Sequence, residues 1–127
     1  NCYGKDFSEL QLIRAIDFWA VRNHNIAFYE MKPEHSICKS SEHLDGFIVL
    51  RKASRSQFKH STLASTERRT SILEIRSAVI WFKPGAQNLT NLIEHELGHA
   101  FGYGHVEIEG HLMHPDYGKM GPKFWIP

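Results

Sequence analysis

A short histidine-rich segment near the C-terminal end carries the chemistry that this sequence can be expected to perform. His95 and His99 are four residues apart, so on one helix their side chains point the same way, one turn apart. Glu96 lies between them, and His105 follows Gly102, a residue type that commonly ends helices. Three imidazoles that leave one coordination position free are typical of a catalytic zinc site. We therefore predict that the three histidines bind one Zn²⁺ ion.

Glu96 has the position of a general base beside this predicted metal ion. Bound zinc lowers the pKa of a coordinated water molecule to about 7. A carboxylate at this position can take a proton from that water as it attacks a peptide carbonyl, and can then pass the proton to the leaving amine. The residues therefore predict hydrolysis of peptide bonds through a zinc-bound water molecule that Glu96 activates.

The same segment resembles the zinc-binding motif of the metzincin metallopeptidases. HELGHAFGYGH fits the pattern H-E-x-x-H-x-x-G-x-x-H, and Met113 follows the third histidine by eight residues. The letters LMHPDY, residues 112–117, are similar to the Leu-Met-x-Pro-x-Tyr methionine turn of the matrixins, the matrix metalloprotease group. The resemblance implies that Met113 shapes the floor of the metal site. It also implies that Pro115 and Tyr117 line the pocket for the residue after the cleaved bond.

Other functions and roles stay open on the sequence alone. A non-proteolytic module on the same fold could bind a peptide or a partner protein, although the intact Glu96 argues against it. A zinc amidase that acts on a cell-wall or small-molecule substrate is a further alternative. His111 and His114 lie close to the motif, and for both a solvated or hydrogen-bonded side chain is favoured over a role in metal binding or catalysis.

The composition indicates a single globular domain over residues 1–127. Hydrophobic residues make up 42% of the chain and charged residues 23%, which is ordinary for a globular protein. The net charge of +1 gives no reason to expect a nucleic-acid partner, and no apolar run approaches the roughly 18 residues of a membrane span. We expect a monomer, with an upper part (1–87) above a lower part (88–127) that holds the metal-binding helix.

The two cysteines, Cys2 and Cys38, bear on the location of the protein. A disulfide between them would suit a secreted or extracellular enzyme, and a periplasmic or cell-surface location fits as well. Two free thiols are an alternative. A third alternative is a latent form in which the Cys2 thiolate occupies the open zinc position, because CYGKD resembles, loosely, the matrixin switch Cys-Gly-x-Pro-Asp.

Two helices and four strands are predicted to position the site. Ser8 is the expected N-cap of a first helix that ends near Asn23 and buries an apolar stripe formed by Leu12, Ala15, Ile16 and Trp19. Asn88 is the expected N-cap of the histidine-bearing helix, at roughly 89–102. Strands are expected at residues 26–31, 47–50, 61–66 and 72–82, the last with a bulge near Arg76. Residues 32–45 are expected to form a loop.

These elements predict an α+β fold with a small, mixed, twisted sheet of about four strands. The continuous apolar run at 47–50 suits an interior strand, and the resemblance implies that residues 61–66 form an antiparallel edge strand. A peptide substrate could add to that edge as another strand. The sheet would pack against the first helix and the zinc-binding helix, followed by the methionine turn and a short irregular tail. Phe124, Trp125 and Ile126 are expected to pack back onto the domain.

Neither a nucleic-acid surface nor a calcium-loaded loop is expected. The basic stretch at 51–70, which includes Arg55, Lys59, Arg68 and Arg69, is interpreted as a solvated loop rather than a nucleic-acid surface. Only three acidic residues lie between Gly46 and His95, so we predict no calcium-loaded loop of the matrixin kind. The resemblance is therefore to a matrixin-like catalytic domain of reduced size.

Overall fold

The computed structural model describes residues 1–39, 43–54, 56–58, 61–72 and 74–127. Within these residues the chain is α+β, with three helices and a mixed three-stranded sheet. In chain order the elements are α1 (Glu9–Ala20), α2 (His35–Lys39), β1 (Ile48–Lys52), β2 (Ala64–Ser71), β3 (Glu74–Phe82), α3 (Leu92–Ala100) and a single 3-10 turn (Tyr117–Lys119). None of the helices in the described part of the chain has the length and apolarity needed to cross a membrane.

Helix α1 begins where the sequence predicts. The Ser8 hydroxyl accepts a hydrogen bond from the backbone N–H of Gln11 at 3.2 Å, which satisfies one of the free donors at the helix start. The helix ends at Ala20 rather than near Asn23. Its buried face packs against α3, and the indole N–H of Trp19 donates to the Glu94 carbonyl at 2.9 Å. This contact joins α1 to the helix that carries the histidines.

The sheet has the order β1-β3-β2, so β3 and not β1 is its central strand. β1 pairs with β3 in parallel, and β2 pairs with β3 antiparallel as the predicted edge strand does. The prediction of an interior strand at 47–50 is therefore wrong within the described residues. β1 is nevertheless apolar because both of its faces are covered: the consecutive residues Val49 and Leu50, which point to opposite faces, are both buried.

The fourth predicted strand, at residues 26–31, does not form. This segment belongs to no strand. The N-terminal residues form hydrogen bonds with it and with β1. The terminal ammonium of Asn1 donates to the Glu30 carbonyl at 2.7 Å, and the N–H of Cys2 donates to the Leu50 carbonyl at 2.8 Å. The N-terminal residues thus occupy the Glu30 and Leu50 carbonyls, which a ladder between segment 26–31 and β1 could otherwise use.

The other differences from the prediction are shifts in element limits. β2 begins at Ala64 and takes up much of the basic stretch that was predicted as loop; Arg55 and Lys59 lie outside the described residues. The expected loop at 32–45 contains α2, and its residues 40–42 also lie outside. β3 starts at Glu74, after the undescribed Leu73. The bulge near Arg76 is confirmed, because Arg69 pairs with Ser77 and the next residue of β2 pairs with Ile75.

One hydrophobic core joins α1, the sheet, α3 and the loop that follows α3. Its most deeply buried side chains are Trp19, Ile80, Phe82, Ile93, Leu97, Leu112 and Met113. Gly98 of α3 faces this core with almost no space around it. A β-carbon placed there would lie 2.7 Å from Met113 Sδ and 2.9 Å from Trp19 Cζ2. The absence of a side chain at Gly98 therefore lets α3 approach both of these residues.

The N-terminus is held by a disulfide between Cys2 and Cys38, whose Cα atoms are 5.4 Å apart. Neither cysteine is a free thiol, so this state excludes both the free-thiol alternative and a Cys2 thiolate at the metal site. At the other end, Phe124 packs edge-on against Trp19 at a ring distance of 4.9 Å, as expected for the tail. The expectation for Ile126 is wrong, because this residue is 73% exposed.

Candidate metal centre and cleft

Helix α3 starts later than the sequence predicts. Its N-terminal flanking residue is Asn91, in the left-handed conformation with φ of 67°, which asparagine tolerates better than most residues. Asn88 does not cap the helix. Its side-chain oxygen accepts from the Ser8 N–H at 2.8 Å, and its amide donates to the Asp6 carbonyl at 2.9 Å. Asn88 therefore fixes the start of α1, close to the start of α3.

The end of α3 directs the chain back toward the helix. After Ala100, Gly102 adopts φ of +106°, a conformation that side chains other than hydrogen rarely permit. The Tyr103 N–H then donates to the Gly98 carbonyl at 3.0 Å, which closes the reversal. His105 follows three residues after the glycine. This turn brings His105 alongside the two histidines on the helix.

The three histidines converge on one point. His95 Nε2 and His99 Nε2 are 3.1 Å apart, and His99 Nε2 and His105 Nε2 are also 3.1 Å apart. Ligands at tetrahedral angles and about 2.05 Å from zinc would be about 3.3 Å apart, so these separations fit such an ion. His95 is buried, His99 is half-buried and His105 is exposed. Among the described residues this trio is the group of side chains that could hold a metal ion.

The remaining ring nitrogens determine which tautomers are present. His95 Nδ1 lies 2.6 Å from the Leu112 carbonyl and His99 Nδ1 lies 2.8 Å from the Tyr103 carbonyl. Because a carbonyl only accepts, both Nδ1 atoms carry the proton, and both neutral rings present a lone pair at Nε2. Two lone pairs 3.1 Å apart repel each other unless a cation lies between them. The donor set and its outer hydrogen bonds therefore fit a bound divalent metal.

Burial keeps these rings neutral. The pKa of His95 is lowered to about 4, mainly because burial disfavours the charged ring and secondarily because of neighbouring groups. The pKa of His99 is lowered for the same main reason, with a further contribution from the positive charge of Arg68. Metal binding requires the unprotonated form of an imidazole. Both helix histidines are thus in the required state at neutral pH.

Glu96 lies beside this trio and is buried. Its Oε2 is 3.9 Å from His95 Nε2, while its Oε1 accepts a hydrogen bond of 2.7 Å from the Thr66 hydroxyl on β2. Burial raises the pKa of Glu96 to about 7, and the Thr66 bond offsets part of this effect. A carboxyl group whose pKa is close to neutrality can both accept and release a proton under physiological conditions.

The converging Nε2 atoms of the three histidines open into a cleft of about 480 Å³ between β2 and the loop after His105. Pro115 and Tyr117 line the loop side of this cleft, as does His114, whose Nδ1 accepts from the Asp116 N–H at 2.9 Å. The Tyr117 hydroxyl donates to the Thr90 carbonyl at 2.9 Å, which ties this wall to the start of α3. The residues expected to form a substrate pocket are therefore brought together with the histidines.

Met113 and His111 support the site from within the core. Met113 is fully buried, and its carbonyl accepts from the Val106 N–H at 3.0 Å, next to the third histidine. His111 is also fully buried and lies outside the cleft lining. Its Nε2 donates to the Trp125 carbonyl at 2.9 Å and its Nδ1 accepts from the Met113 N–H at 2.9 Å. His111 is thus a hydrogen-bonded structural residue, which was the favoured interpretation.

Sequence reasoning missed two residues of the cleft, Thr66 and Arg68. Both were assigned to a loop or a strand end, whereas β2 extends through them. They are two positions apart, so on a strand they share one face. The sequence would indicate that Thr66 and Arg68 share a face only if β2 were already known to extend through both residues.

Comparison of the chain with family profiles, with curated proteins and with solved structures finds no match in any of the three. The geometry of the site is therefore the basis for any assignment of function.

Proposed function

We propose that this chain is a zinc-dependent endopeptidase of the metzincin type, similar to the matrixins. One observation carries the proposal: the Nε2 atoms of three imidazoles converge beside a buried carboxyl group in an open cleft. A closed structural metal site would use a fourth protein ligand, and the described residues bring only these three together. A carboxyl group of raised pKa beside the trio favours hydrolysis over simple metal storage.

The chemistry of the donor set favours zinc. Calcium and magnesium prefer oxygen ligands, whereas imidazole nitrogens in a tetrahedral arrangement suit zinc. Zinc bound there would act as a Lewis acid toward a peptide carbonyl and would make water a better nucleophile at neutral pH. The outer hydrogen bonds from His95 and His99 to backbone carbonyls would hold the two rings in the orientation that binding needs.

The protein's own contribution to hydrolysis is proton transfer by Glu96. Its carboxyl group is buried, so its proton affinity is close to that required at neutral pH. The free oxygen, Oε2, is on the side of His95, whereas Oε1 is held by the Thr66 hydroxyl. Thr66 thereby acts as a positioning residue, because it restricts rotation of the carboxyl group. We infer that Oε2 takes the proton from the attacking water and delivers it to the departing amine.

The open edge of β2 is suited to hold a peptide. Within the described residues β2 pairs with β3 alone, so its outer backbone N–H and C=O groups have no strand partner. An extended peptide can satisfy such groups by adding as a further strand. This edge forms one wall of the cleft, so a peptide bound there would pass over the histidine trio. The disulfide is consistent with a secreted or extracellular location, which we also propose.

The test combines metal content with cleavage of a diverse peptide mixture. The zinc-loaded protein should cleave peptides, a chelator should stop cleavage, and added zinc should restore it. Glu96→Ala should keep its zinc but lose more than about 100-fold in rate, because proton transfer is removed. Thr66→Val should lose rate through kcat while KM changes little, and Thr66→Ser, which keeps a hydroxyl, should retain most of the rate.

Three outcomes would contradict the proposal. Cleavage that survives chelation would separate the activity from the metal, and full turnover by Glu96→Ala would remove this residue from the mechanism. A zinc-loaded protein that binds peptides and cleaves none would instead be a binding module. Mass spectrometry of the digests identifies each cleaved bond, so a contaminating peptidase can be recognised by bonds that are also cleaved in a mock preparation without the protein.

A further inference from the structure

Arg68 places a positive charge at one end of the cleft. It lies two residues after Thr66 on β2, so the two side chains share the face of the strand that looks onto α3. Arg68 lines the cleft, and its Nη1 would be 3.8 Å from a β-carbon at Gly102, just beyond the end of the helix. Arg68 therefore lines the same cleft as the three histidines.

Within the described residues, the charge of Arg68 has no acidic partner. In the part of the chain that the structure describes, no acidic side chain forms an ion pair with Arg68. Glu96 is the other residue with a formal charge along the cleft, and it is buried and hydrogen-bonded to Thr66. Glu67, the next acidic neighbour on β2, is on the opposite face and pairs with His43 at 3.4 Å. The cleft thus presents one guanidinium group with no acidic partner.

A guanidinium group binds a carboxylate through two parallel hydrogen bonds, and such pairs are stronger when water is partly excluded. We propose that Arg68 selects peptide substrates with an aspartate or glutamate on the N-terminal side of the cleaved bond. The proposal rests on the peptidase function proposed above and adds the substrate class. Among the described residues that line the cleft, Arg68 is the one lysine or arginine.

The side of the cleaved bond follows from strand direction. Along α3, the Tyr117 hydroxyl contacts Thr90 just before the helix starts, and Thr66 contacts Glu96 in its middle. Arg68 lies beside Gly102, just beyond the helix end. β2 therefore runs from the Tyr117 end of the cleft toward the Arg68 end. A peptide that pairs antiparallel with β2, the more stable mode of pairing, runs the opposite way and enters the cleft from the Arg68 end. Thr66 marks the level of Glu96, and two strand residues span about 6.7 Å. The acidic side chain should therefore lie two or three residues before the cleaved bond.

The experiment uses matched peptides that differ only at that position, with Glu, Gln or Lys. The wild-type protein loaded with zinc should cleave the Glu peptide about 5- to 10-fold more efficiently than the Gln peptide, in line with a partly exposed charge-assisted pair. Arg68→Gln should abolish this ratio, and Arg68→Glu should favour Lys. Arg69→Gln is the matched control: it removes the same charge from the neighbouring position, which does not line the cleft, and should keep the ratio.

A binding measurement separates this proposal from the peptidase assignment. Glu96→Gln loaded with zinc should bind the fluorescent Glu peptide more tightly than the Gln peptide by a similar factor, and 0.5 M salt should reduce the difference. Equal binding and equal cleavage of the two peptides would overturn the role of Arg68 while leaving the peptidase intact. A preference for the Glu peptide that survives Arg68→Gln would also overturn the role of Arg68. So would a preference for an acidic residue only on the C-terminal side of the cleaved bond. If the wild-type protein bound the Glu peptide selectively but cleaved neither peptide, only the peptidase assignment would be refuted.

Discussion

The buried carboxyl group of Glu96 should make the metal-free protein less stable as pH rises. The side chain is 5% exposed, and its pKa is raised to about 7 by burial. The folded protein therefore keeps a proton on Glu96 over a range in which the unfolded chain releases it. The associated stability is present below the ordinary pKa of 4.5 and is lost as pH rises through 7.

Glu96→Gln removes this dependence without removing the hydrogen bond, because the amide oxygen can still accept from Thr66. The difference between about 7 and 4.5 corresponds to about 3 kcal/mol. At pH 8 the metal-free variant should therefore be more stable than the wild type by about 3 kcal/mol, or roughly 10 °C in Tm. At pH 4.5 the two proteins should be nearly equal. His95, whose pKa is lowered to about 4, destabilises both proteins alike as pH falls below 6.5, so the comparison cancels it.

The assay is urea unfolding in the presence of a chelator at pH 4.5, 6 and 8, followed by circular dichroism. Glu107→Gln is the control, because it removes an exposed carboxylate from the same region and should change stability by less than about 0.5 kcal/mol at each pH. A constant difference between wild type and Glu96→Gln across the pH range would refute the reasoning. Added zinc should reduce the difference at pH 8, because a nearby cation favours the ionised carboxylate.

Two further predictions concern the scaffold. Gly98→Ala should lower the free energy of unfolding by about 1–3 kcal/mol, because its β-carbon would overlap two buried side chains. Gly104→Ala is the control and should be neutral, because nothing lies within 4 Å of its β-carbon. Equal melting temperatures for the two variants would contradict the close packing at Gly98. Replacing both Cys2 and Cys38 by serine should cost about 4 kcal/mol in urea unfolding of the oxidised protein, because the disulfide closes a loop of 36 residues. If reduction of the wild-type protein does not lower its free energy of unfolding by a similar amount, the loss in the double variant does not come from the missing disulfide.

The sequence was most informative where the chemistry is local. The relation of His95 to His99 follows from helix periodicity, and Gly102 indicated where the helix ends and how His105 could return. The start of α1 at Ser8 was equally local and is confirmed. In each case the residues that decide the geometry lie within about one or two helical turns of each other.

Features set by distant segments were not predicted. The apolar run of β1 could not reveal whether a neighbouring strand would pair with it, and the hydrogen bond from Cys2 to Leu50 depends on residues far apart in the chain. The limits of β2 depend on its partner β3 rather than on its own polar composition. Thr66 was placed at the end of the predicted edge strand, but its contact with Glu96 depends on how β2 packs against α3, which the sequence does not show.

The orientation of His95 depends on hydrogen bonds made by the C-terminal tail. The Trp125 carbonyl accepts from His111, the Lys123 carbonyl accepts from the Leu112 N–H at 2.7 Å, and the Leu112 carbonyl orients the ring of His95. A cut before Lys123 would therefore disturb His95, a candidate metal ligand that lies almost thirty residues earlier. If the proposed peptidase cleaved its own tail, the product would lose the bonds that orient His95 and would bind the proposed metal less tightly, so autolysis would limit itself.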